Sequence, residues 1–171
     1  MGKTMSKEAA LAHLAKWGKS ESNIIDTGQS TATVALAARA IGVRPERIAK
    51  SLAVYTQGGG ALVLVVGGTA RLDNQKFKAR FDFKPRMLSP QDTFELTGYQ
   101  PGGVCPFGLP EGVEVYLDRS LEGFESVFPA CGSASSSIEL TLSELEQYSL
   151  SKGWVDVCKP PPAQNEYSKR T

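Results

Sequence analysis

One lysine interrupts an aliphatic strand pattern. In Ile48-Ala49-Lys50-Ser51-Leu52-Ala53-Val54-Tyr55, extended backbone sends alternate side chains to opposite faces. Ile48, Lys50, Leu52 and Val54 therefore share one face, and Ala49, Ser51, Ala53 and Tyr55 the other. A lysine is rarely buried without a partner. Either Lys50 lies near the strand end and snorkels its ammonium into water, or the ammonium is kept in a cleft for an anionic ligand. Two small-residue loops offer further chemistry. The run Gly98-Tyr99-Gln100-Pro101-Gly102-Gly103-Val104-Cys105-Pro106-Phe107-Gly108 packs four glycines and two prolines into eleven residues. Paired glycines permit positive φ and let a ligand approach bare backbone N–H groups. The second loop is Ala130-Cys131-Gly132-Ser133-Ala134-Ser135-Ser136.

Other chemistries find less support. A Ser-His-Asp or Cys-His hydrolase needs a base beside its nucleophile, and the single histidine, His13, falls in the first predicted helix, far in sequence from both loops. Cys105 is the most tempting thiol, but no sequence neighbour supplies the positive charge that would depress its pKa; it reads more readily as a packed residue, as does Cys131. Cys105, Cys131 and Cys158 are an odd number without CxxC spacing, against a disulfide framework or a zinc site. HExxH, P-loop and GxGxxG motifs are absent, and no cofactor is implied. A lysine and two glycine loops can bind an anion and stabilise an oxyanion. Lacking a strong nucleophile, such a site suits a bond that is already labile.

The elements that must position these residues are legible in outline. A first helix starts near Ser6 and Glu8, with Ala10, Leu11, Leu14 and Trp17 at helical spacing before Gly18. Asn23 to Asp26 suits a short strand, and the cluster Ser30-Thr31-Ala32-Thr33 can cap a helix that buries Val34, Ala37, Ala38 and Ile41. Pro45 leads into the Lys50 strand. Beyond the turn Gly58-Gly59-Gly60, the continuous apolar run Ala61 to Val66 predicts a strand buried on both faces, antiparallel to the first. Asp73 or Asn74 caps a helix through about Phe81; it carries Lys76, Lys78 and Arg80, with Lys84 and Arg86 following. This densest basic segment is either a solvated helix face or a phosphate-contacting patch. Ser89-Pro90 opens another helix that ends near Thr97-Gly98. Val113 to Leu117, Val127-Phe128 and Ser137 to Leu142 read as strands, and Ser143 to about Leu150 as a last helix.

The fold class expected is α+β, a mixed sheet flanked by helices. At 171 residues one domain is the simplest organisation, burying roughly 70% of its unfolded surface. Residues 1–158 would form that domain and 159–171, with Pro160-Pro161-Pro162, a polar disordered tail. A net charge of +1 gives no global attraction to nucleic acid, so such binding needs a local patch. No stretch approaches about 18 consecutive apolar residues, so no membrane contact is expected and a cytoplasmic location is the default.

The same residues carry a resemblance. Ile48-Ala49-Lys50-Ser51-Leu52, Gly98-Tyr99 followed by Gly102-Gly103-Val104-Cys105-Pro106-Phe107-Gly108, and Ala130-Cys131-Gly132-Ser133 before Ile138-Glu139-Leu140 resemble the YbaK/ProX superfamily in order and spacing, over roughly Ser30 to Leu145. The resemblance implies a mixed, largely antiparallel barrel-like sheet with flanking helices, and hydrolysis of mischarged aminoacyl-tRNA by a free-standing trans-editing protein. It implies that Lys50 sits against the phosphate or ribose of the terminal adenosine, that Gly102 and Gly103 offer N–H groups to the aminoacyl ester, and that Gly132 lines the opposite wall. Ser51, Val104, Cys105, Phe107 and Ser133 would complete the substrate site. Lys76, Lys78, Arg80, Lys84 and Arg86 become candidate tRNA contacts. The expected partners are tRNA and a synthetase. Cys105 takes a position often held by serine in the family, and Ala130 and Ser137 stand where its cysteine-specific branch tends to carry Ser and Asp, so the edited amino acid is not read from the match. Two alternatives stay open: a non-catalytic tRNA- or nucleotide-binding module that partners a synthetase, and a Cys105-dependent hydrolase.

Overall fold

Residues 6–160 are described by a computed structural model of the chain. Helix α1 (Ser6–Leu14) leads through short 3-10 turns to strand β1 (Ile24–Asp26) and helix α2 (Val34–Ile41). Strands β2 (Ile48–Tyr55) and β3 (Ala61–Gly67) follow, then β4 (Arg71–Leu72), α3 (Asn74–Phe81) and α4 (Pro90–Thr97). The last third holds β5 (Glu114–Asp118), β6 (Ser126–Pro129), β7 (Ser136–Ile138), β8 (Leu140–Thr141), α5 (Leu142–Tyr148), β9 (Trp154–Val155) and β10 (Cys158–Lys159). Six strands form one mixed sheet in the order β8-β6-β2-β3-β5-β9, curled into half a barrel. The β2–β3 hairpin at its centre is antiparallel from Ala49↔Gly67 to Tyr55↔Ala61. Parallel pairing joins β2 to β6, β3 to β5 and β5 to β9. Two ribbons, β1–β7 and β4–β10, complete the strands.

The unbroken apolar run of β3 is explained by a core on each face of the sheet. Val63 and Val65 pack with Ala49, Leu14, Phe107 and Leu145, while Leu62, Leu64 and Val66 pack with Val54, Ala70 and Phe77. All seven β3 residues are buried, as expected for a strand covered on both sides. Lys50, Leu52 and Val54 pair with Val66, Leu64 and Leu62, so Lys50 leaves the sheet on the α3 face, and Ala49 faces the α1–α5 side.

Local chemistry sets the helix ends. Thr33 caps α2 by accepting from Leu36 N–H, Asp73 caps α3 by accepting from Gln75 and Lys76 N–H, and Ser89 caps α4 ahead of Pro90. Thr141 and Glu144 form a reciprocal capping box on α5. The expected single strand from Ser137 to Leu142 divides in two. At Glu139 the chain changes partner, β7 pairing with β1 and β8 with β6; the Glu139 carboxylate accepts from Ser126 Oγ at 2.5 Å and pairs with Arg47 at 3.4 Å. Lys159, placed with the tail by composition, pairs with Arg71 in the β4–β10 ribbon. The rest of that tail, from residue 161, lies outside the described residues.

Candidate active site

The site forms where β2 loses a neighbour. On one edge β6 pairs only with Ile48 and Ala49, through Phe128 and Pro129. Further along, the chain around Met87 takes over that edge: Tyr55 N–H donates to Arg86 O at 2.9 Å and Leu88 N–H to Ala53 O at 3.0 Å. Between these, the edge beside Lys50 and Ser51 opens into a cleft of about 170 Å3. Its floor is Ile48 to Ser51. One wall is Thr31-Ala32-Thr33-Val34 with Ala37, another is Gly102 and Val104, and Phe128, Ala130 and Ser137 close it.

Each wall is held by long-range backbone bonds. The β1–β7 pairing continues beyond the strands, with Thr27 N–H donating to Ser135 O at 3.2 Å and Thr31 N–H to Ala134 O at 2.5 Å. Gly102 reaches the Thr31 wall directly. Its φ is +88°, which favours glycine, and a Cβ placed there would press on Ala32 Cβ at 3.1 Å. Its N–H has no hydrogen-bond partner among the described residues. Gly103 differs: its N–H donates to Gln100 O at 2.9 Å, closing the turn, and the residue is buried against the Ser133 backbone rather than lining the cleft.

Lys50 is half-buried, and its Nζ donates to Ala70 O at 3.1 Å. The turn that presents this carbonyl is wedged in place, since a Cβ on Gly68 would lie 2.0 Å from Pro45 O. Burial pulls the amine below the ordinary lysine value, partly offset by the nearby Cys158 thiol. No carboxylate pairs with it among the described residues. Among the described residues it is the sole ionisable side chain lining the cleft. Among the described residues no group of three or more His, Cys, Asp or Glu is placed to hold a metal ion.

Several expected contributors fall elsewhere. Cys105 and Phe107 are fully buried in the α1–α5 core. The Cys105 thiol donates to Phe107 O at 3.6 Å, and burial pushes it up to about 11, the reverse of an activated thiol. Cys131 is likewise buried and pushed up. Gly132 and Ser133 do not line the cleft; Ser133 Oγ bonds Ser136 Oγ at 2.6 Å, and its backbone supports Gly103 from behind. His13 is remote from Lys50, packing on Trp17 and donating from Nε2 to Tyr148 O at 2.6 Å. In the basic segment Lys76 is tied to Asp156 and to Cys158 O, Arg80 stacks on Phe81 and Tyr116, and Arg86 covers Tyr55. Lys78 and Lys84 are left exposed. The Thr31 wall was read only as a helix cap. Its signal was a Ser/Thr cluster longer than a cap needs, because Thr33 alone performs the capping.

The model of the aminoacyl-tRNA editing domain family matches residues 29–148, which include the cleft floor and all its walls. The chain belongs to that family. Its activity is accordingly that of an aminoacyl-tRNA deacylase. The uncharacterized protein YwhH of Bacillus subtilis is 49% identical over 155 residues, covering 91% of this chain and 98% of that one. A protein of Enterococcus faecalis, EbsC, named as a candidate Cys-tRNA(Pro)/Cys-tRNA(Cys) deacylase, is 31% identical over 104 residues, 60% of this chain and 63% of its own. Among solved structures, a candidate trans-editing enzyme for prolyl-tRNA synthetase superposes with a TM-score of 0.79 at 29% identity, covering 90% of this chain and 97% of that one. The editing domain thus accounts for the α+β sheet expected from the strand and helix pattern. No helix among the described residues is long and apolar enough to cross a membrane.

Proposed function

We propose that this protein removes a small, wrongly attached amino acid from tRNA in trans, with Lys50 as the anchor for the terminal adenosine. The observation that carries this reading is a cleft of about 170 Å3 lined by Lys50, a half-buried lysine with no carboxylate partner among the described residues. The Lys50 ammonium attracts a phosphate or a ribose oxygen. The Gly102 N–H offers a donor to the ester carbonyl, stabilising the charge that develops as it is attacked. Among the described residues the cleft lining supplies no histidine, cysteine or carboxylate as nucleophile or base. The attacking group is therefore water, or a nucleophile that the substrate brings, acting on an ester already activated and positioned for attack. Gly132, Ser133, Cys105 and Phe107 then serve by shaping the loops that present Gly102 and Val104. Lys78 and Lys84 are the basic-segment residues available for acceptor-stem phosphates, and partnership with a synthetase would supply the tRNA.

The test is release of free amino acid from a panel of charged tRNAs by the wild-type protein and by Lys50→Ala. Release from at least one mischarged tRNA, lost in a folded Lys50→Ala protein, is expected. Unchanged turnover by that variant overturns the role of Lys50. Tight tRNA binding with no release from any charged tRNA would favour a non-catalytic module.

A further inference from the structure

Two residues that line the cleft carry hydroxyls with no partner among the described residues. Thr31 Oγ1 and Ser51 Oγ have essentially no solvent-accessible surface and no hydrogen-bond partner, and both residues line the cleft. Buried polar groups are almost always paired, so an orphan in a ligand site points to a group the ligand supplies. Two orphans on residues that line one small space, from elements far apart in sequence, form a pattern that a capping role does not explain. Thr31 is 8% exposed and its backbone is pinned to Ala134 O, which fixes where its hydroxyl stands. Ser51 is the residue beside Lys50 on the opposite face of β2, the α1–α5 side. Val34, Ile48, Val104 and Phe128 supply apolar lining, and Thr33 and Ser137 are further hydroxyl residues of it; Thr33 Oγ1 already accepts from Leu36 N–H, whereas the hydroxyls of Thr31 and Ser51 are left to discriminate among small ligands.

We infer that Thr31 and Ser51 are specificity-determining residues that hydrogen-bond the side chain of the edited amino acid, so that the substrate class is a small hydroxyl-bearing amino acid rather than an alkyl one. This rests on the deacylase reading above. The charge of the cleft argues against the substrate α-ammonium as the group they hold. Among the described residues Lys50 is the sole ionisable one lining the cleft, so the lining offers no carboxylate to pair with the substrate α-ammonium. A neutral hydroxyl suits both orphans, since each can donate and accept. A site built to hydrogen-bond a substrate rejects the analogue that lacks the group far more strongly than an apolar pocket rejects an extra methylene.

The experiment compares kcat/KM for tRNA charged with serine, threonine, alanine and 2-aminobutyrate, using wild type, Thr31→Val, Ser51→Ala and Thr31→Ser. Wild type is expected to favour the hydroxyl substrates. Thr31→Val, which keeps shape without the hydroxyl, should lower their kcat/KM by about 10–100-fold and that of the alkyl substrates by markedly less. Thr31→Ser should retain the wild-type preference, which separates loss of the hydroxyl from a disturbed loop. A wild-type preference for alanine or 2-aminobutyrate, or equal losses on all four substrates in Thr31→Val and Ser51→Ala, overturns the specificity assignment while leaving the deacylase reading standing. Failure to release any of the four, or any other amino acid in the wider panel, overturns both.

Discussion

The two principal walls of the cleft make an instructive pair. The glycine loop looks like a ligand-binding loop in sequence, yet only Gly102 and Val104 of it line the space. The Ser/Thr loop looks like a helix cap, yet Thr31, Ala32, Thr33 and Val34 all do. Much of the glycine loop is consumed by its own architecture: Gly103 N–H closes a turn onto Gln100, Tyr99 donates to Phe107 O, and Cys105 and Phe107 fill the core. The Ser/Thr loop, by contrast, is held from outside by Ser135 and Ala134 carbonyls and keeps Thr31 Oγ1 unbonded. Composition marks where a backbone is unusual. Which side chains stay free for a ligand depends on what the tertiary contacts have already engaged.

Substitutions can break this comparison in graded steps. Lys50→Ala, which removes the floor charge both walls surround, should lower kcat by about 10²–10³-fold, the scale of losing one preorganised electrostatic contact; single-turnover deacylation with a thermal unfolding control measures it. Gly102→Val forces a branched residue into positive φ against Ala32, and should lower kcat/KM more than tenfold and cost about 1–3 kcal/mol of stability. Gly103→Ala, with its nearest atoms at 3.4 Å and no positive φ, should do markedly less. Equal effects from the two glycines would erase the distinction drawn between them.

The pH profile gives a third test. The Lys50 amine is held below the ordinary lysine value by burial, so the ammonium is lost on raising pH before an exposed lysine would lose it. If the ammonium binds the adenosine, kcat/KM corrected for uncatalysed hydrolysis falls through that window. If the neutral amine instead acts as a general base, the rate rises there. Stability moves oppositely to the first case. The unfolded chain holds this proton more tightly, so the lysine's contribution to unfolding free energy increases with pH between its folded and unfolded values. Lys50→Met should flatten that trend in denaturant titrations. The smallest effect is expected from Cys105→Ser. It leaves the cleft intact and can keep the donor to Phe107 O, so activity should stay within about threefold while stability falls by about 1 kcal/mol.

Much of the fold was legible because local rules and tertiary packing agree. The hairpin of β2 and β3, the Asp73 and Ser89 caps and the Gly42 and Gly98 helix ends each follow from a residue type with one strong preference. Lys50 was legible because a cation in an aliphatic strand is costly enough to need a reason. The three-residue β1 was legible at Asn23 to Asp26, but the two-residue strands β4, β9 and β10 were not. β9 and β10 carry too little alternation to show, and the break at Glu139 depends on Arg47 and Ser126, distant in sequence. The parallel pairing of β5 with β3 and of β6 with β2 also lay beyond reach, because direction is decided by crossovers rather than by composition. The basic segment misled for a related reason: charge is visible in sequence, but the stacking of Arg80 and Arg86 on aromatic rings is not.

The route by which the Thr31 wall is secured has a kinetic consequence. Thr27 and Ser135, joined where β1 and β7 run out, are 108 positions apart, whereas β2 and β3 are neighbours joined by a short turn. Closing so long a loop is slow compared with forming a hairpin. The Lys50 floor can therefore assemble early in folding and the specificity wall late, so native-state hydrogen exchange should find Thr27 and Thr31 amides opening more readily than those of the central hairpin.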